Sequence, residues 1–170
     1  MEQLPDFWRT EIWHPLTVHF PVAFLTLATI FLIAGYWLRK ANPTYTGQIL
    51  LIAGTIGAWI AVYTGGLADG IVSRQICDPT VLKSHENGAF TVAWLFSGAS
   101  ALVIGDYFGL LRQFRNWLRI GIIVLAVIGS GFLAYTGHLG ATLVYQQAAG
   151  VYTPSDDCNE FIETSTEDRE

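Results

Sequence analysis

Charge is what this sequence has least of. Only 14% of its 170 residues are Asp, Glu, Lys or Arg, against roughly 25% in an average soluble domain. That shortage excludes a disordered chain and argues against an ordinary soluble domain. Basic residues number nine, too few and too confined to short loops for nucleic-acid binding. Cysteine occurs twice, with no C-x-x-C-H for covalent haem attachment and neither the paired C-x-x-C nor the H-E-x-x-H that marks a zinc site. No nucleophile motif frames a serine, so nothing supports a hydrolase.

What the sequence has in excess is apolar residues, 52% of the total, and they are gathered into runs. Four stretches, 16–38, 45–68, 88–111 and 120–145, contain no Lys, Arg or Glu. Each matches or exceeds the roughly 20 residues that a helix rising about 1.5 Å per residue needs to cross a bilayer. The expected fold is an all-α membrane protein, a four-transmembrane-helix up-and-down bundle over residues 1–151, followed by an acidic extracytoplasmic tail at 152–170. The first run is preceded by the acidic, aromatic MEQLPDFWRTEIWHP rather than a short basic segment. It therefore reads as a retained helix and not as a cleaved signal.

Orientation follows from the loops. Arg39 and Lys40 lie between the first two runs, and Arg112, Arg115 and Arg119 between the last two, with Asp106 the only acid near them. Basic residues in short loops stay cytoplasmic, so the chain is expected to be multi-pass in a bacterial cytoplasmic (inner) membrane with both termini outside. Cys77 and Cys158 both fall on the predicted outer side, where disulfides persist. A Cys77–Cys158 bridge is the expectation, with two free thiols as the alternative.

A weak internal duplication bears more directly on function. HFPVAF (residues 19–24) and HENGAF (85–90) share H-x-x-x-A-F, while VYTGGL (62–67) and AYTGHL (134–139) share Y-T-G-x-L. The chain thus reads as a duplicated helical hairpin with pseudo-two-fold symmetry about the membrane normal. Small residues recur every four positions, as at Ala53, Gly57, Ala61 and Gly65, and such rows let helices approach closely in lipid.

The four histidines, His14, His19, His85 and His138, all map to the outer end of this bundle. Ionisable groups at membrane depth point to function, and neutral imidazole suits iron, copper and zinc. Haem b is the economical choice. Helix neighbours at about 8–10 Å put the diagonal between the first and third helices at roughly 11–14 Å, the span two axial histidines need. The duplication makes His19 and His85 the first choice of iron ligands. His138 paired with either one is the runner-up, with Gly65, Gly66, Gly137 and Gly140 giving clearance, and His14 is read as a hydrogen-bonding residue or a further cofactor contact. Tyr63 and Tyr135 hold matching repeat positions from which they would donate to haem propionates or a quinone. A zinc or copper site would use the same histidines, and the alternative to any cofactor is hydrogen bonding to backbone carbonyls or interfacial water. Asp106 is expected to reach toward Arg112 or Asn116.

Three segments carry a family resemblance: HPLTVHFPVAF (14–24), YTGGLAD (63–69) and GHLGATLVYQQAAGV (137–151). Together they resemble an uncharacterised family of small bacterial integral-membrane proteins, a domain of unknown function with four membrane helices and an HPLxVHFPxA motif. Members occur joined to or beside Rieske iron-sulfur and cytochrome c modules, which implies a setting near electron transfer. Ala141 stands where the family pattern usually has a second glycine. Two readings follow. In the first the chain is a haem-binding redox subunit, more an electron-transfer or accessory protein than a stand-alone enzyme, passing electrons at the outer face to a cytochrome c, Rieske or quinone partner. In the second it is a structural or complex-assembly protein, or a His-based metal-binding or transport protein, in contact with membrane lipid and open to forming an oligomer or larger complex.

Overall fold

A computed structural model describes residues 9–110 and 112–151. Cys158 and the acidic tail lie outside the described residues, and with them the expected disulfide. Four long helices follow a short 3-10 turn at Thr10–Ile12: α1 (Trp13–Leu38), α2 (Ala41–Val72), α3 (Pro79–Tyr107) and α4 (Arg115–Gln147). Among the described residues there is no strand. All four helices are long and apolar enough to cross a membrane. At about 1.5 Å per residue the longer ones outreach the roughly 30 Å hydrocarbon layer, so their ends project into the interfaces.

The helix ends are set locally. α3 begins nine residues before its apolar run, because Asp78 caps it, accepting hydrogen bonds from the Thr80 amide at 2.9 Å and the Thr80 hydroxyl at 2.6 Å, with Pro79 in the first turn. Those donors hold the Asp78 carboxyl below its ordinary pKa, and a capping side chain of this kind satisfies an otherwise orphaned helix amide. At the other end α3 stops at Tyr107 rather than continuing to 111, and Gly109 takes a left-handed φ of 70° in the turn that follows. Asp106 reaches Arg115 at 3.3 Å, not Asn116.

Packing within each hairpin, α1 on α2 and α3 on α4, is closer than packing between hairpins. Glycines permit it. A Cβ on Gly54 would lie 2.7 Å from the Leu25 side chain, and one on Gly129 would lie 2.8 Å from Phe96. Leu25 and Phe96 are both fully buried. Around them Leu32, Leu51, Val92, Val103 and Ile122 form one core with Ala28, Ala58, Ala93, Ala99 and Ala126. Outward faces carry Phe20, Ile49, Ile56 and Trp94, all strongly exposed in the isolated chain and suited to lipid contact.

Two hydroxyl pairs tie the hairpins to each other in the bundle interior. Thr29 of α1 meets Ser130 of α4 at 2.9 Å, and Thr55 of α2 meets Ser100 of α3 at 2.9 Å. They are symmetry mates: Thr29 to Ser100 is a step of 71 residues and Thr55 to Ser130 a step of 75. Leu25 and Phe96 repeat the first step, Gly54 and Gly129 the second. The duplicated hairpin is therefore present in the packing, but in a register different from the H-x-x-x-A-F match, which steps by 66 residues. Thr55→Val, which leaves Ser100 without this partner, is expected to destabilise the bundle by about 0.6 kcal/mol and at most about 1.7 kcal/mol, measured by unfolding in mixed detergent against the Thr29→Val variant.

Candidate functional site

At the end of the bundle where α1 and α3 begin, the 71-residue step also relates His14 to His85, and these two rings meet. Their centroids are 6.0 Å apart with planes inclined at 83°. His14 stands in the first turn of α1 and reaches α2, where its Nδ1 is 3.0 Å from the Ala61 carbonyl oxygen. His85 stands in the second turn of α3 and reaches α4, where its Nδ1 is 2.9 Å from the Thr136 carbonyl oxygen. A carbonyl only accepts, so each Nδ1 carries the proton and donates. Each neutral ring therefore keeps its Nε2 lone pair for another partner.

Both acceptor carbonyls sit in the same kind of notch. A helical carbonyl is normally crowded by the side chain four residues on, and here those residues are Gly65 after Ala61 and Gly140 after Thr136. A Cβ at Gly65 would stand 3.1 Å from His14 Cε1, and one at Gly140 would stand 3.1 Å from His85 Cε1. The missing side chains are what let an imidazole lie across the helix and share a carbonyl that also serves the helix ladder. In the first hairpin Thr17 and Thr64 add to the fixation: their hydroxyls are 2.9 Å apart, and Thr64 also donates to the Ala61 carbonyl at 3.1 Å.

The other expected residues stand apart from this contact. His19 is exposed, because five residues past His14 turn it about 140° away around the helix. The pair brought into contact is His14 with His85, not His19 with His85. His138 is likewise exposed, two residues beyond the Thr136 carbonyl that holds His85. Tyr63 is 69% and Tyr135 54% exposed, so both present themselves to the bundle's surroundings and not to the histidine pair. Of the glycines proposed to give clearance, Gly65 and Gly140 do so against imidazole, while Gly66 and Gly137 face open space.

One feature of this end escaped the sequence reading. Glu11, in the 3-10 turn just before His14, is buried to 8% exposure and pairs with Arg9 at 3.4 Å. Its lone position in an acidic N-terminal segment gave no periodic signal of burial.

Two imidazoles with defined tautomers are a fit for a metal that needs only two protein ligands. Among the described residues no group of three His, Cys, Asp or Glu side chains comes together. Haem iron receives four nitrogens from its macrocycle and asks the protein for two.

Comparison with known proteins places the chain in a family. Residues 12–153 match the model of a family described as a predicted membrane protein (DUF2231), a span that includes both histidines, both notches and all four membrane helices. No curated protein and no solved structure matches the chain.

Proposed function

The chain belongs to this family of predicted membrane proteins, and on that premise we propose that it is a b-type haem protein in which His14 and His85 would hold the iron. The observation that carries the reading is the meeting of the two rings at 6.0 Å with Nδ1 of each committed to a backbone carbonyl. Hydrogen bonding of the remote ring nitrogen is how ligating histidines are commonly oriented and made more basic. A bound haem supplies one-electron chemistry; the protein's part is to fix both imidazoles and to bury them between hairpins.

The basic loops at the opposite end support placing the histidine end on the extracytoplasmic side of a bacterial inner membrane. From there the partner class is a cytochrome c, a Rieske protein or a membrane quinone, and the protein acts as an electron-transfer subunit. The test is a dithionite-reduced minus air-oxidised visible spectrum of detergent-purified protein, with a pigment assay on the same sample. A sharp low-spin α-band with about one haem per chain is expected. A colourless protein that takes up no added haem would return His14 and His85 to the role of structural pins between helices.

A further inference from the structure

A second site lies at the opposite end of the bundle, where the four helices part around a cleft of about 1510 Å³. Its depth is apolar, ending on the buried core residues Leu32, Val103 and Ile122. Its mouth is basic: Arg39 and Lys40 from the α1–α2 turn and Arg115 and Arg119 from the start of α4 all line it, with Asp106 the one acid. Among the described residues Asp106 is engaged by Arg115, which leaves Arg39, Lys40 and Arg119 as a cationic rim with no acidic partner there. Trp37 and Trp117 flank this rim, at the depth where indole rings favour the boundary between headgroups and chains.

An apolar well under a ring of cations, framed by interfacial tryptophans, matches an amphiphile with one negative head and hydrocarbon tails. We propose that this cleft is a binding site for an anionic phospholipid, with its phosphodiester held by Arg39, Lys40 and Arg119 and an acyl chain lying toward Leu32 and Ile122. Basic pockets between membrane helices bind anionic headgroups in this way. The site stands apart from the histidine pair and does not depend on haem being bound there.

The experiment is native mass spectrometry of the full chain released from detergent, titrated with phosphatidylglycerol and with phosphatidylcholine of the same acyl composition. Each basic residue near an anionic head contributes about fivefold, so the triple variant Arg39→Gln/Lys40→Gln/Arg119→Gln should bind phosphatidylglycerol on the order of 100-fold more weakly. It should leave phosphatidylcholine binding unchanged. The variant Arg39→Lys/Arg119→Lys keeps the charge and should keep the preference, and it decides the matter if the triple variant does not fold. Equal binding of the two lipids by the unmodified protein would overturn the proposal, as would a preference that survives the triple variant. Displacement of phosphatidylglycerol by millimolar inorganic phosphate would also overturn it, by making the site one for a soluble anion.

Discussion

Replacing His14 or His85 by Ala is expected to abolish haem binding, while His19→Ala and His138→Ala leave it intact. The first two rings meet edge-on at 6.0 Å and the other two are exposed, so the four variants separate sharply. Even second-layer groups around a metal change affinity by roughly 10–100-fold, and removing an axial ligand should exceed that and leave the purified protein essentially without pigment. Imidazole added to His14→Ala or His85→Ala should restore part of the low-spin band, since the truncated side chain leaves room for the free ligand. Full occupancy in either Ala variant would show that the pair is not the ligand set, and loss of pigment in His19→Ala would return that residue to the site.

Filling the notches should remove the pigment without touching a histidine. Gly65→Leu and Gly140→Leu each place a branched side chain where a single Cβ already stands 3.1 Å from an imidazole carbon, driving the ring off the Ala61 or Thr136 carbonyl. Loss of an orienting hydrogen bond of this type costs roughly 10–100-fold in affinity, and the overpacking adds about 1–3 kcal/mol of destabilisation. Gly66→Leu and Gly137→Leu are the controls, since a Cβ at either meets nothing within 4 Å. They should keep both pigment and thermal stability. Equal behaviour of all four leucine variants in haem titrations would mean that the carbonyl contacts do not position the ligands.

The sequence made the helices plain because burial in lipid writes itself as composition: runs without Lys, Arg or Glu have no other economical explanation. Helix starts were less legible. α3 extends back through Lys83 and Glu86, which pair across one turn, and a charged stretch before the apolar run looks like loop when only hydropathy is read. The histidine pair was half legible. His85 was placed at the centre and His14 only beside it, as a hydrogen-bonding residue or a further cofactor contact, because the identical letters H-x-x-x-A-F drew His19 into the repeat. Packing, not identity, sets the true register: Leu25 and Phe96 fill equivalent core positions with different side chains, and Thr29 and Ser100 share only a hydroxyl. The signal for the His14–His85 contact lies on the partner helices, in the repeated spacing of a small residue and a glycine at Ala61–Gly65 and Thr136–Gly140. Small-xxx-Gly patterns are so common at membrane helix contacts that this one becomes specific only when a histidine is seen lying in it.

One iron held between His14 and His85, in the orientation their carbonyl bonds impose, would carry a distinctive spectroscopic signature. Low-temperature electron paramagnetic resonance of the oxidised protein reads that orientation directly, because the relative twist of two axial imidazoles sets the anisotropy of low-spin ferric haem. With ring planes at 83°, the expected spectrum is the strongly anisotropic low-spin signal of near-perpendicular ligands, lost in both His14→Ala and His85→Ala. A rhombic signal of parallel imidazoles, a high-spin signal of single-histidine ligation, or a haem-free protein would contradict it.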